Sequence, residues 1–210
     1  MNLPGVTTYL EKRIASDGVP LDVSFSHNAT DFPCEVAGRR FGYLKSARES
    51  LSESDIEYLK SLSQQLAALC HCPDWNAAVE LDELIAKLHA SNPLYSWTGV
   101  YRKTGASLTI TSYRGPYTPH AVIPIGEGIC GAAVREAKTL NIPDVKADPR
   151  YLSCDFRTKS EIVVPIFHGA EAIAEIDIDS HETNAFHDAD QHRLEDLARE
   201  LSPLMLQLIR

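Results

Sequence analysis

The sequence lacks features that would define several classes of protein. No apolar run approaches the ~20 residues that span a bilayer as a helix, and the opening Met1-Asn2-Leu3-Pro4 lacks the charged and apolar regions of a signal peptide. Basic residues are scarce, since 20 Lys and Arg face 29 Asp and Glu for a formal net charge of -9. Nucleic acid and anionic membranes both require a basic face. We therefore expect a cytoplasmic protein that acts on a small soluble ligand and binds neither nucleic acid nor membrane.

Cysteines are present, but their number is odd. Five cysteines in a reducing compartment argue against a structural disulfide framework, so each thiol is interpreted separately as buried, catalytic or metal-binding. Cys70-His71-Cys72 crowds three potential ligands into three positions, whereas zinc sites space their cysteines by two to four residues and have a second pair elsewhere. We expect no metal site in this chain.

The spacing of apolar residues predicts one unit with helices at both ends. From Trp75 to Leu88 apolar residues recur at helical spacing after Asp74, a residue suited to cap a helix, and residues 188–209 show a second amphipathic pattern. Between these helices the apolar residues alternate. Strands are predicted for residues 97–101, 107–113, 161–167 and 172–178. Helices that flank an antiparallel sheet make an α+β fold.

Residues 1–72 are interpreted as an N-terminal extension and residues 73–210 as the main domain. In the extension a hairpin strand is followed by acidic residues and then by a helix with spaced leucines, and the same order recurs near the end of the chain. We hypothesise that the extension is a degenerate copy of the second half of the main domain. It lacks the acidic strand end formed by Asp177 and Asp179, so we expect no ligand site in it.

Cys130 lies in a setting that favours ligand contact. Glycines on both sides of it let the backbone approach a ligand closely, and the small residues that follow predict the first turn of a helix. A thiol at a helix N-terminus is stabilised in its thiolate form. Cys130 is therefore a candidate redox residue.

Cys154 lies in a long loop, residues 144–160, and loops of this length usually have a function. Arg150, Arg157 and Lys159 are close to it in sequence, and these cations would favour its thiolate. Two activatable thiols near one candidate pocket indicate redox chemistry.

Carboxylates alternate with apolar residues along the two strands that follow. Asp177 and Asp179 point to one side of their strand while the neighbouring isoleucines point to the other. If Glu161 joins them, the carboxylates repel one another, which raises at least one pKa and supplies a proton donor near neutral pH. The cluster would also bind the ammonium group of a free amino acid.

These residues give the chain a resemblance to a known family. From about Trp75 to Arg210 it resembles the GAF domain, and among GAF domains the free methionine-(R)-sulfoxide reductases. The motifs that carry the resemblance, in matching order and spacing, are Trp97-Thr98-Gly99-Val100-Tyr101, Gly128-Ile129-Cys130-Gly131, Cys154-Asp155, Lys159-Ser160-Glu161-Ile162-Val163-Val164-Pro165 and Ile176-Asp177-Ile178-Asp179-Ser180. It implies a GAF-like antiparallel sheet flanked by helices.

The resemblance also implies roles for the site residues. Trp97 and Tyr101 would wall the substrate, Glu161, Asp177 and Asp179 would contact its polar groups, and Cys154 and Cys130 would perform the redox chemistry. Family members commonly have a third cysteine, a resolving thiol, ten residues before the glycine-flanked one, and this chain has His120 there. His120 is either a surface histidine or a pocket residue that contacts substrate.

We expect a thiol-dependent reduction of free methionine-(R)-sulfoxide. Cys154 attacks the sulfoxide sulfur, a protonated carboxyl such as Glu161 helps the oxygen leave, and a cysteine sulfenic acid remains. Cys130 then forms a disulfide with it, provided that the two Cα atoms come within ~7 Å. Thioredoxin or a similar dithiol recycles the enzyme without a metal or organic cofactor. An exchange of the two cysteine roles is the alternative within this mechanism.

Two other classes of function remain open. The first is a non-catalytic GAF module that binds a small ligand for signalling, which would need an output partner. The second is a dimerisation module built on the two predicted helices of the main domain. A homodimer is compatible with each of these functions.

Overall fold

The computed structural model of the chain describes residues 5–19, 23–26, 32–36, 38–47 and 50–209. The sequence interpretations that concern residues 1–4 and Arg210 lie outside this range. Five helices are described: α1 Val6–Asp17, α2 Glu53–Cys70, α3 Trp75–Ala90, α4 Gly128–Glu136 and α5 Asp188–Leu208. Nine strands are described: β1 Val23–Ser26, β2 Phe32–Val36, β3 Arg39–Ser46, β4 Trp97–Thr104, β5 Ser107–Arg114, β6 Val122–Pro124, β7 Leu140–Ile142, β8 Ser160–His168 and β9 Glu171–Ser180.

A six-stranded antiparallel sheet forms the centre of the main domain. Its strand order is β6-β5-β4-β9-β8-β7, so the four predicted strands form two hairpins, β4–β5 and β8–β9, that lie side by side. The predicted α+β fold is confirmed. The short edge strands β6 and β7 were not predicted as strands, because three residues are too few to show alternation.

Helices cover both faces of this sheet. Helix α4 packs against β8 and β9 on the face that carries the acidic side chains of β9, while the neighbouring isoleucines Ile176 and Ile178 are fully buried on the other face. Helices α3 and α5 pack against the sheet and against each other. Among the described helices, none is both long enough and apolar enough to cross a membrane.

A buried ion pair connects α1, α3 and β5. Asp82 of α3 accepts hydrogen bonds from both Nη atoms of Arg114, at 2.6 and 2.7 Å, and from Tyr9 of α1 at 2.9 Å and Ser112 at 2.8 Å. Asp82 is 1% exposed, so the charge must be paired to be tolerated. This network attaches the N-terminal helix to the main domain.

The N-terminal residues form a small sheet of order β1-β3-β2, and α2 packs against β2, β3 and β5. At the start of α2 the Ser52 N–H donates to Asp55, and at the start of α5 the His187 N–H donates to Asp190, each at 3.0 Å. Buried apolar residues of both regions belong to one continuous core. The boundary between residues 72 and 73 and the repeat hypothesis stay predictions.

Candidate active site

A small cavity lies between helix α4, the loop after β7 and the carboxylate face of the sheet. Its volume is about 10 Å³, which is room for about one water molecule. It contains both cysteines and the three carboxylic acids that the sequence singled out. The lining residues are Ile123, Gly128, Ile129, Cys130, Tyr151, Leu152, Cys154, Glu161, Asp177 and Asp179.

Strand register brings the carboxylic acids together. Glu161 of β8 is the direct partner of Asp179 of β9, and Asp177 is two residues along β9 on the same face. All three side chains are almost fully buried, with exposed fractions of 4–6%. The predicted cluster therefore exists, and it faces the cavity instead of solvent.

Burial determines the protonation of this cluster. It raises the pKa of Asp177 to about 7. The pKa of Glu161 and that of Asp179 are raised well above their usual range, first by burial and then by the neighbouring Asp177. Burial therefore favours the neutral form of these carboxyl groups, and a neutral carboxyl group can donate a proton.

A fourth acid, Glu175, lies on β9 near this cluster and was missed by the sequence analysis. It is 0% exposed, and neither of its carboxylate oxygens has a hydrogen-bond partner among the described residues. Burial and the nearby Asp177 raise its pKa well above the usual range. The alternation along β9 could have identified Glu175, because it lies two residues before Asp177 and therefore points to the same side of the strand as Asp177 and Asp179.

The first turn of α4 places Cys130 against the acids. Its thiol donates to Asp177 Oδ2 at 3.4 Å, with Glu161 Oε1 at 3.8 Å. Gly131 permits this turn, because a Cβ there would lie 2.7 Å from the carbonyl oxygen of Ile125. Burial and the carboxylates raise the pKa of Cys130 well above its usual range. The expected stabilisation of its thiolate by the helix N-terminus is therefore wrong, because burial and negative charge outweigh that effect.

The expectation that cations activate Cys154 is also wrong. Burial, followed by Asp177 and Asp179, raises the pKa of its thiol far above the usual range. The three basic residues are engaged elsewhere: Arg150 with Asp148 and Glu136, Arg157 with Asp155, and Lys159 with Glu182. The three basic residues are therefore close to Cys154 in sequence but pair with other groups in the folded protein.

Cys154 instead contacts a histidine. Its Sγ lies 3.2 Å from Nδ1 of His120, which is half-buried between β5 and β6. The carbonyl of Leu152 is a longer contact, at 3.7 Å. His120 does not line the cavity, but it contacts a thiol that does. A contact between His120 and the substrate stays a prediction.

The two aromatic residues, Trp97 and Tyr101, do not line the cavity. The Trp97 ring lies over Gly99 and stacks on Tyr113 with a centroid distance of 5.2 Å. Tyr101 is fully buried and its hydroxyl donates to the His120 carbonyl at 3.1 Å. Their role as walls for the substrate stays a prediction.

One group in the described part of the chain has ligand atoms within 4.8 Å of one another, namely Cys130, Glu161 and Asp177. Their raised pKa values mean that protons would have to leave before a metal ion could bind. At the Cys70-His71-Cys72 motif, Arg102 donates to Cys72 Sγ and to the His71 carbonyl, each at 3.0 Å. A guanidinium in this position opposes the binding of a second cation.

Comparison with known proteins agrees with this architecture. A family model for the GAF domain matches residues 80–203, which include every residue that lines the cavity. The chain belongs to the GAF domain family. The resemblance recognised in the sequence is thereby confirmed.

Within this family the chain is similar to free methionine-R-sulfoxide reductases. It is 32% identical over 155 residues to that of Saccharomyces cerevisiae, a match that covers 72% of this chain and 77% of the yeast protein. The solved structure of the type II enzyme from Thermoplasma acidophilum is 36% identical with a TM-score of 0.63, covering 64% of this chain and 95% of that one. The enzyme from Neisseria meningitidis, solved with its substrate, is 28% identical with a TM-score of 0.60, covering 75% and 93%.

Proposed function

We propose that the protein reduces free methionine-(R)-sulfoxide to methionine, with Cys154 as the nucleophile and Cys130 as the resolving thiol. The observation that carries the proposal is the convergence of two cysteines and three buried acids on one small cavity. Similarity to reductases over most of the main domain supports the same conclusion.

The buried carboxylic acids of the cavity support a preference of the enzyme for a free amino acid over a peptide. An ammonium group favours the ionised form of a nearby carboxyl, so a substrate ammonium would be paired with Asp177 or Asp179. A methionine sulfoxide inside a peptide has no ammonium group and would leave these buried acids without a cationic partner. Trp97 would pack behind the methyl end of the substrate.

The first chemical step transfers oxygen from substrate to enzyme. The Cys154 sulfur attacks the sulfoxide sulfur, and a neutral carboxyl, Glu161 in our assignment, protonates the oxygen as the bond between sulfur and oxygen breaks. The hydroxyl then moves to the Cys154 sulfur as the new bond between the two sulfurs breaks, and the electron pair of that bond stays on the methionine sulfur. A Cys154 sulfenic acid remains and methionine is released. The substrate sulfur is reduced by two electrons and the cysteine sulfur is oxidised by two.

The second step forms a disulfide. The Cys130 thiol attacks the sulfur of the sulfenic acid, water leaves, and Cys130 and Cys154 become joined. A dithiol reductant of the thioredoxin type would then restore both thiols, which places the enzyme in a reducing compartment such as the cytoplasm. No metal or organic cofactor takes part in these steps.

The exposure of the two thiols supports this order. Cys154 is half-buried, whereas Cys130 is 6% exposed and hydrogen-bonded to a carboxyl group. A nucleophile must reach the substrate, and a resolving thiol needs to reach only the sulfenic acid. The alternative assignment makes Cys130 the nucleophile and Cys154 the resolving thiol.

NADPH consumption in the presence of thioredoxin and thioredoxin reductase tests the proposal. Free methionine-R-sulfoxide, its S epimer and a peptide-bound sulfoxide are compared with the full chain. We expect turnover of the free R form alone, and its loss in Cys154→Ser. Cys72→Ser is the matched control, because this cysteine is half-buried but lies outside the cavity.

Single-turnover release of methionine separates the two thiol roles. Cys130→Ser should release one equivalent of methionine and then stop, while Cys154→Ser should release none. The opposite pattern would exchange the two roles. Absence of turnover on all three substrates, with a folded and reduced protein, would favour a non-catalytic GAF module. A homodimer also stays a prediction, which sedimentation of the wild type and of Cys130→Ser would test.

A further inference from the structure

The position of His120 is fixed by three contacts. Its main-chain N–H donates to Thr118 Oγ1 at 3.1 Å, and its carbonyl accepts from Tyr101 at 3.1 Å. The ring Nδ1 lies 3.2 Å from Cys154 Sγ. Because the backbone is held on two sides, the ring is directed at the thiol without depending on substrate.

Cys154 needs a base in contact with it. Burial and the acids of β9 raise its pKa, so little thiolate exists near neutral pH. The carbonyl of Leu152 lies 3.7 Å from Sγ and cannot take up its proton. Arg150, Arg157 and Lys159 form ion pairs with other residues.

We propose that His120 is a catalytic residue, the general base that removes the proton from Cys154 as its sulfur attacks the sulfoxide. This inference rests on the proposed function for its substrate, and on the contact between Nδ1 and Sγ for its chemistry. A histidine within hydrogen-bond distance of a nucleophile is the arrangement that activates thiols and hydroxyls in many enzymes.

The proton balance is complete. The S–H bond breaks and an N–H bond forms at Nδ1, with the neutral ring carrying its other proton on Nε2. The electron pair left on sulfur forms a bond to the sulfoxide sulfur, and the carboxyl proton goes to the sulfoxide oxygen. The resulting hydroxyl moves to the Cys154 sulfur as the bond between the two sulfurs breaks, and the electron pair of that bond stays on the methionine sulfur. The imidazolium then returns its proton to that carboxylate, directly or through water, so both groups regain their starting states.

The ring of His120 is in the protonation state that a base requires. Burial lowers the pKa of His120, partly opposed by Glu127, so the ring is neutral at pH 7 and ready to accept. Asp177 and Asp179 on β9 and Glu161 on β8 face Cys154, as does Tyr101 on β4. Any of these acids that is ionised would stabilise the imidazolium formed during attack.

The test compares wild type, His120→Asn and His120→Gln. Both variants keep a polar side chain but cannot act as a base at neutral pH. The exposed His168→Asn is the matched control. One measurement is the pH profile of Cys154 alkylation by iodoacetamide, read by mass spectrometry, and the other is single-turnover methionine release. We expect release to fall about 10²- to 10⁴-fold in both variants at pH 7, with partial recovery as the pH rises and the thiol ionises unaided.

The alkylation profile keeps this inference separate from the proposed function. In wild type it should show a step on the acid side of pH 7, where His120 loses its proton, and the step should be absent from both variants. A wild type that keeps this step but reduces no sulfoxide would refute the proposed function and not the thiol–imidazole pair. Profiles and release rates equal to wild type in either folded variant would overturn the assignment of His120.

Discussion

Cys130 and Asp177 form a hydrogen bond at the inner end of the cavity, with the thiol donating to Oδ2 over 3.4 Å. The contact joins a thiol that would be oxidised in each cycle to an acid whose pKa is about 7. When Cys130 enters a disulfide the donor disappears, so the carboxylate loses a stabilising contact and its pKa should rise further. In the proposed cycle, the redox state of the cysteines and the protonation of the acids would therefore be linked.

Ligand binding should release protons. An ammonium group placed among Glu161, Asp177 and Asp179 favours their ionised forms, so acids that are neutral in the free protein would lose protons on binding. Calorimetry of methionine binding to Cys154→Ser at pH 7, in two buffers of different ionisation enthalpy, measures this release. We expect up to about one proton per ligand, and less in Asp177→Asn.

A ligand without the ammonium group provides the control for this experiment. N-acetylmethionine should bind at least tenfold more weakly and release no proton. Equal affinity and equal heat for methionine and N-acetylmethionine would show that the acids do not contact the ammonium group.

Glu175 should reduce stability at neutral and alkaline pH. Its pKa is raised in the folded state, so the folded protein binds its proton more tightly than the unfolded chain does. The corresponding stabilisation is complete below the unfolded pKa and is lost as the pH rises through the folded pKa. Glu175→Gln should therefore change the free energy of unfolding little at pH 5 and raise it by about 1–3 kcal/mol at pH 8.5.

Urea unfolding at pH 5, 7 and 8.5 measures this effect. The exposed Glu200→Gln changes the same charge at the surface and should leave the stability within about 0.5 kcal/mol at each pH. A Glu175→Gln variant that is destabilised equally at all three values would contradict the assignment, since it would indicate lost contacts and not a relieved charge.

Much of the site could be predicted because its pattern is local. Alternation along β9 placed Asp177 and Asp179 on one face, and the glycines around Cys130 indicated a helix start. The activation of the thiols could not be predicted in this way. It depends on burial and on which groups meet in space, and both are properties of the tertiary structure.

The contact between His120 and Cys154 illustrates that limit. The two residues are 34 positions apart and lie in two irregular segments. Such segments have no periodic pattern from which the direction of a side chain could be predicted. The N-terminal region has a similar limit, because the bond between Tyr9 and Asp82 spans 73 positions. No local pattern indicates that α1 docks on α3.

The Asp82 network should be the main electrostatic contribution to stability outside the cavity. Burial alone would raise the pKa of Asp82, but the hydrogen bonds and charge of Arg114 lower it overall. Asp82→Ala would leave the buried Arg114 without its partner and should cost about 3–5 kcal/mol at pH 7. The exposed Glu80→Ala on the same helix is the control and should stay within about 0.5 kcal/mol.

The pH dependence of this difference follows from the lowered pKa. The stability that Asp82 supplies is present above its unfolded pKa and is lost as the pH falls through its folded value. The difference between wild type and Asp82→Ala, measured by urea unfolding, should therefore shrink in strong acid. A constant difference from pH 7 to pH 2 would mean that packing and not charge carries the effect.

Gly131 should control the second chemical step more than the first. A Cβ at this position would lie 2.7 Å from the Ile125 carbonyl oxygen and 2.9 Å from that of Pro124, both of which are backbone atoms. Gly131→Ala must therefore displace the first turn of α4, which carries Cys130, at a cost of about 1–3 kcal/mol. Cys154 lies in a separate loop and should keep its geometry.

We expect Gly131→Ala to slow disulfide formation at least tenfold while methionine release changes less than threefold. Thiol titration and methionine release, both followed in a single turnover, give the two rates. Gly126→Ala is the matched control, because a Cβ there meets nothing within 4 Å. If methionine release slows as much as disulfide formation, Cys130 already takes part in the first step, and the exchanged assignment of the two cysteines becomes the better one.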